Sequence, residues 1–222
     1  MRYQALIFDF DGTIADTLQA GISIYNNIAA ENGFRQLAGD EINTIRNMDI
    51  RSALTRLNIP KLRVPLLLAK ARRMLKSDIT NIPLIDGITE TLMELRSNVD
   101  RFGILTSNAT ENVEAFLELH GLRDLFTFIS STSSLSGKSK HLRSIARTFS
   151  MNPSRMLYVG DEIRDIHAAK KAGIDIVAVT WGFNSRDALA AEQPHYLVNT
   201  PAELLVRQHD AVPVRRPRRP QT

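Results

Sequence analysis

The run Ala5-Leu6-Ile7-Phe8-Asp9-Phe10-Asp11-Gly12-Thr13 passes from apolar residues straight into two aspartates one position apart. An apolar run with aromatic and β-branched members, bounded by a glycine, reads as a buried strand. Strand side chains alternate faces, so Asp9 and Asp11 can point the same way as the strand ends. Gly12 lets the backbone turn at once. Two carboxylates this close repel unless one keeps a proton or a cation lies between them. A hard, oxygen-seeking divalent ion such as Mg²⁺ is the natural partner. The plainer alternative is a strand followed by an acidic turn, because Asp-Gly is common turn chemistry.

Outward from this strand the pattern becomes helical. Asp16–Asn32 carries apolar residues at three-to-four spacing and stops at Gly33. Further helices are expected over Asp40–Asn58, broken near Asn47-Met48-Asp49, and over Lys61–Ser77. Nothing between residues 16 and 80 reads as a strand. From Pro83 onward strands and helices alternate. Strands are expected at Arg101–Leu105, Leu125–Ser130, Met156–Val159 and Ile174–Thr180, with an edge strand at Tyr196–Val198. Helices are expected at Ile88–Ser97, Glu111–His120, Lys138–Ser150, Arg164–Ala172 and Asp187–Glu192. Such alternation is the mark of an α/β, Rossmann-like parallel sheet with helices on both faces. The helical block is too long for a connection and reads as a small all-helical cap inserted after the first strand. The expected division is a core of residues 1–15 and 83–206, a cap of residues 16–82, and a basic tail of residues 207–222.

In an open parallel sheet, ligands lie beyond the carboxyl ends of the strands. Every chemically suggestive cluster falls there. Asp9 and Asp11 follow the first strand, Ser107 and Asn108 the second. Lys138 comes after the third, and Asp161 and Asp165 follow the fourth. Asp161 and Asp165 are four apart and share a face of the helix that begins there. With Asp9 and Asp11 they make an acidic nest suited to Mg²⁺. Asp165 can equally serve the free amides of the helix start. Ser107 and Asn108 offer a hydroxyl and an amide where a helix begins, a place that binds phosphate or is simply capped. Lys138 is a cation for the phosphate and the aspartates, with Lys140 as its competitor.

This set, in order and spacing, resembles the haloacid dehalogenase superfamily of phosphatases, in its phosphoglycolate phosphatase-like branch. The carrying residues are Asp9-Phe10-Asp11-Gly12-Thr13, Leu105-Thr106-Ser107-Asn108, Lys138, and Val159-Gly160-Asp161 with Asp165. Lys138 is followed by serine where many members have proline. The resemblance implies a Mg²⁺-dependent hydrolysis of a small phosphomonoester through an aspartyl-phosphate. Asp9 is implied as nucleophile and Asp11 as acid and base. Asp9, Asp11 (through its carbonyl), Asp161 and Asp165 are implied for the metal, and Ser107, Asn108 and Lys138 for the phosphate. The cap is implied to close over the site. The break in its helical pattern points to Arg46 as a substrate contact, and the plain alternative there is an interhelical turn.

Composition bounds the remaining classes. The chain has 222 residues, 43% of them hydrophobic, and no cysteine, which excludes disulfides and thiolate metal sites. No apolar stretch approaches the roughly 18 residues of a membrane span. With no basic-then-apolar leader, the expectation is a cytoplasmic protein. The net charge is +4. Five of the 28 basic and one of the 24 acidic side chains fall in residues 207–222, so residues 1–206 carry 23 of each and are neutral. A Pro/Arg-rich tail does not fold by itself but can touch an anionic surface. The expected partner is a small phosphorylated metabolite, not nucleic acid or a membrane. A phosphosugar mutase, a dehalogenase and a non-catalytic metal- or phosphate-binding module stay open as alternatives. Asp11 speaks against dehalogenation, since a halide leaves without a proton.

Overall fold

The structure is a computed structural model that describes residues 3–132 and 137–207. Residues 1–2 and 133–136, and residues 208–222 of the expected tail, lie outside them. Six strands form one sheet: β1 (Ala5–Phe8), β2 (Arg101–Thr106), β3 (Phe128–Ser131), β4 (Met156–Gly160), β5 (Asp175–Val179) and β6 (Tyr196–Val198). Their spatial order is β3-β2-β1-β4-β5-β6, and every pairing is parallel. The strand that carries the aspartates is therefore central, with neighbours on both sides.

Strand alternation divides the interior into two cores. Leu6 and Phe8 of β1, Phe102 and Ile104 of β2, and Leu157 and Val159 of β4 enter one. It is closed by α5 (Ile88–Arg96) and α6 (Thr110–Leu119) through Leu92, Leu95, Val113 and Phe116. Ala5 and Ile7 of β1, with Met156 and Tyr158 of β4, enter the other. There α7 (Lys138–Thr148) and α8 (Ile163–Ala172) cover them through Leu142, Ile145, Ile166 and Ala169. Leu189, from α9 (Arg186–Ala191), completes that side. Two-sided burial is why these strands read as continuous apolar runs.

Several element ends differ from the sequence expectation, among them those of β3 and of the C-terminal helix. Strand β3 starts at Phe128, where pairing with Gly103 begins, and Arg123–Leu125 form a 3₁₀ turn instead. An apolar run alone does not say where a ladder starts. Arg207, placed with the tail, closes a short helix, α10 (Glu203–Arg207). Five residues are too few to show a period.

The cap consists of α1 (Leu18–Asn32), α2 (Asp40–Arg46), α3 (Ile50–Arg56) and α4 (Val64–Asp78). Gly33 ends α1 at φ 70°, a left-handed cap that glycine adopts without strain. The expected break falls between α2 and α3. Asp49 caps α3 by accepting from the amides of Arg51 at 2.8 Å and Ser52 at 3.2 Å. The chain leaves and re-enters the core side by side. The Asp16 amide donates to the Pro83 carbonyl and the Ile85 amide to the Ile14 carbonyl, each at 2.9 Å.

A second attachment ties the cap to the loop after β5. Arg46 donates through Nε to the Phe183 carbonyl at 3.1 Å and through Nη2 to the Gly182 carbonyl at 3.0 Å. Asn184 Nδ2 donates to the carbonyls of Arg46 and Met48 at 2.9 and 3.0 Å. Arg46→Ala is expected to speed amide exchange over residues 40–56 by about tenfold, the worth of a charge-assisted hydrogen bond. Amides of β1 and β4 serve as the internal control. Unchanged exchange across the cap would show that Arg46 does not hold it.

Candidate active site

Asp9 shares the parity of Ala5 and Ile7, so its side chain is directed to the α7/α8 face. Its amide donates to the Val159 carbonyl at 2.8 Å, which carries the β1–β4 ladder one residue past the strand. Lys138 opens α7 and reaches back under the sheet end. Its Nζ donates to Asp9 Oδ2 and, at 2.6 Å, to Asp165 Oδ1. All three side chains are buried, Lys138 at 2% exposure and Asp165 at 0%. Tyr158 Oη lies 3.3 Å from Asp165 Oδ1 and 3.2 Å from the Leu105 carbonyl, closing the set from β4. Lys140 is exposed, so Lys138 is the lysine that faces the aspartates.

Asp11 is oriented by Asn108, whose Nδ2 donates to its Oδ1 at 3.2 Å. Asn108 is fixed in turn, because its Oδ1 accepts from Ala109 N at 2.8 Å and Asn112 Nδ2 at 3.0 Å. Asp161 is packed from above and below. It accepts from Thr13 Oγ1 at 2.8 Å and from the Phe183 amide at 2.7 Å. A Cβ at Gly12 would stand 2.3 Å from Asp161 Oδ2, and one at Gly182 would stand 2.2 Å from it. Gly12 also has φ +73°, so both space and backbone require glycine there.

Burial pushes Asp9 up to about 7, against the opposing charge of Lys138 and with the help of Asp165. Burial likewise pushes Asp11 up to about 6, opposed by the hydrogen bond from Asn108. Asp161 is raised well above the carboxylate range by burial and by the charge of Glu162. Burial disfavours the Lys138 cation, but Asp165 and Asp9 outweigh it and the ammonium is held more firmly than usual. The site is thus an excess of negative charge in a dry place.

Carboxylate oxygens of Asp9, Glu162 and Asp165 lie within 4.8 Å of one another. Hard oxygen donors crowded this closely fit a divalent cation. The expected set was Asp9, Asp11, Asp161 and Asp165. The structure brings Glu162 into the cluster, while the Asp161 carboxylate joins two loops. Asp165 is also committed elsewhere, accepting the Glu162 amide at 3.1 Å in the capping box of α8 as well as Lys138. Ser107 lies beside Arg164, whose Nη2 is 3.3 Å from Ser107 Oγ and also donates to Glu162 Oε1. Arg164 and Asn184 were not singled out in the sequence. Arg164 had one available signal: it stands between Asp161 and Asp165. Arg46, expected at the substrate, donates to the loop after β5; it lies outside the cavity that contains Asp11, Ser107 and Asn108 and lines an adjoining one with Glu162 and Phe183.

A six-stranded parallel sheet with buried carboxylates and a lysine at its carboxyl ends, covered by a helical insert after β1, defines an α/β enzyme with a capped site. The family description "Haloacid dehalogenase-like hydrolase" matches residues 6–179, and the chain belongs to that family. It is 36% identical over 202 residues to a phosphoglycolate phosphatase of Synechococcus elongatus, covering 91% of this chain and 95% of that one. It is 23% identical over 208 residues to the pyrophosphatase PpaX of Bacillus mycoides, covering 92% and 96%. A haloacid dehalogenase-like hydrolase of known structure from Streptococcus pneumoniae superposes with a TM-score of 0.76 at 25% identity, covering 93% of this chain and 98% of that one. Among the described residues no helix is long and apolar enough to cross a membrane.

The raised carboxylates predict a pH signature. Folded Asp9 keeps its proton to about 7, whereas the unfolded chain releases it near the ordinary 3.8. Between these values the folded state binds more protons, so this group's contribution to stability falls as pH rises. In the presence of a chelator, Asp9→Asn is expected to gain melting temperature relative to wild type as pH rises through that window. A difference between the two proteins that is independent of pH would contradict it.

Proposed function

We propose that the protein is a Mg²⁺-dependent phosphatase of a small, phosphoglycolate-like phosphomonoester, acting through an aspartyl-phosphate. The observation that carries this reading is the buried Asp9–Lys138–Asp165 arrangement with Asp11 held two residues away by Asn108. Membership of a hydrolase family and the likeness to a phosphoglycolate phosphatase support it.

In the first step an Asp9 carboxylate oxygen attacks phosphorus and the bond to the ester oxygen breaks. Asp11, which burial raises to about 6 so that a fraction keeps its proton at neutral pH, gives that proton to the departing oxygen. In the second step Asp11, now a carboxylate, takes a proton from water as the water oxygen attacks phosphorus. Inorganic phosphate leaves and Asp9 is restored. Ser107 and Lys138 hold the phosphate oxygens as charge redistributes. Asp9, the Asp11 carbonyl and Asp161 would hold Mg²⁺, with Asp165 supporting and Glu162 now beside them. The ion supplies positive charge where nucleophile and phosphate would otherwise repel. Positive charge there would favour the anionic form of Asp9, the form that attacks. The cap keeps bulk water from the aspartyl-phosphate until the leaving alcohol has gone.

Phosphate release from a panel of phosphomonoesters, with and without Mg²⁺, tests the reading. The wild type is expected to release phosphate only with the metal, and Asp9→Asn to lose at least about 10³-fold of kcat, as removal of a covalent nucleophile does. Release undiminished in Asp9→Asn would sink the mechanism. Silence across the whole panel, with folded protein and Mg²⁺, would favour the binding-module alternative.

A further inference from the structure

Helix α4 is apolar on two sides. Val64, Leu67, Leu68, Ala71 and Leu75 turn inward and line the cavity between cap and core. Leu62, in the 3₁₀ turn Lys61–Arg63 that leads into the helix, is exposed, and so are Pro65, Leu66 and Ala69. These four stand at three-to-four spacing and form one outward stripe. Leu62 is 96% exposed and Leu66 72%. Scattered exposed leucines are ordinary, but an ordered apolar stripe marks a surface that meets something. The fold is secured without it, because α4 already packs on α1.

The charge around the stripe has one sign. Residues 50–77 hold five arginines, three lysines and no acid. Residues 1–206 carry 23 basic and 23 acidic side chains, so those outside 50–77 carry 15 against 23. The neutral total thus hides a basic segment of the cap and an acidic remainder. The line of the stripe continues into Arg73 and Lys76, both exposed, and Lys61 and Arg63 flank its start. Lys70 is answered by Glu31, and the Arg63 guanidinium lies over the Phe34 ring at 6.0 Å.

Leucines projecting from a field of cations match an anionic lipid surface. The apolar side chains enter the acyl boundary while the ammonium and guanidinium groups stay at the headgroups. A second copy of the chain would bring two like-charged faces together. An acidic protein helix would answer the charge, but such binding relies on a groove, and Leu62 projects from the surface. We propose that the outer face of α4 is a docking surface for an anionic membrane, with Leu62 and Leu66 inserted and Lys61, Arg63, Arg73 and Lys76 at the headgroups. The contact is peripheral and needs no spanning helix. It departs from the expectation of no membrane partner, which rested on the lack of a spanning stretch. The acidic remainder of the chain orients the cap, not the core, toward the surface.

Flotation of the full chain with lipid vesicles tests this. Vesicles of phosphatidylcholine with about one-third phosphatidylserine are compared with vesicles of phosphatidylcholine alone. The chain is expected to bind the anionic vesicles at least about 100-fold more tightly, and to lose at least about tenfold of that binding in about 0.5 M salt. Leu62→Ser/Leu66→Ser is expected to weaken binding by about tenfold or more at unchanged charge. Arg73→Gln/Lys76→Gln is expected to weaken it by about 20-fold, since each basic group near the surface is worth about fivefold. All four side chains are exposed, so melting temperatures are expected to stay at the wild-type value, and this is checked first. Equal binding to the two kinds of vesicle, or binding to neither, would overturn the proposal. Binding that survives in Leu62→Ser/Leu66→Ser would overturn it too, and would assign the contact to the arginine-rich residues 207–222. A chain that ignores vesicles but changes oligomeric state in that variant would give the face to a second copy instead.

Discussion

The ammonium of Lys138, lodged between Asp9 and Asp165 with almost no exposure, is the contact on which the site depends. Three charges taken out of water are costly unless each finds its opposite. Here one cation answers two carboxylates, and burial, aided by the charge of Asp165, still raises Asp9 against the pull of Lys138. Removing one partner from a buried pair costs on the order of 3–5 kcal/mol, because the other is left uncompensated. The arrangement therefore constrains three elements at once: the end of β1, the first turn of α7 and the first turn of α8. It also holds Asp9 in one orientation, with Oδ1 on the Phe10 amide at 2.8 Å and Oδ2 on the lysine.

Asp161 does for the loops what Lys138 does for the carboxylates. It accepts from Thr13 on the β1 loop and from Phe183 on the β5 loop, and two glycines leave room for its oxygens. The β5 loop then grips the cap through the carbonyls that receive Arg46 and through Asn184. A chain of short contacts thus runs from the acidic centre to the helix pair that covers it. Residues 182–184 join the cap to Asp161 by hydrogen bonds.

The cap is built differently from the core. Core residues such as Phe8, Phe102, Leu92 and Val177 are fully buried. In the cap only a few apolar side chains, among them Ile28, Ala29, Ala53 and Leu57, reach that state. Others, such as Ile24, Leu54 and Leu68, line a cavity, while Leu62 and Leu66 are exposed at the surface. A fully packed interior would have filled that cavity, so the cap is packed less tightly than the core.

Much of this was legible in the residue order. The apolar run ending in Asp9 and Asp11, the alternation of strands and helices after Pro83, and the break at Asn47-Met48-Asp49 all follow from local periodicity and turn chemistry, which are properties of neighbouring residues. The placement of each polar cluster at a strand's carboxyl end follows from topology once the strands are known. Three things were decided only by the tertiary structure. Lys138 prevails over Lys140 because only the first residue of α7 faces the β1 end. Arg46 becomes a cap fastener because the β5 loop presents two carbonyls to it. Arg164 becomes a cation in need of an acceptor because Glu162 and Ser107 occupy one nitrogen and packing shields the others. Partners that lie about 60 or 130 residues apart, and the exclusion of water between them, are set by long-range packing, which local residue order does not encode.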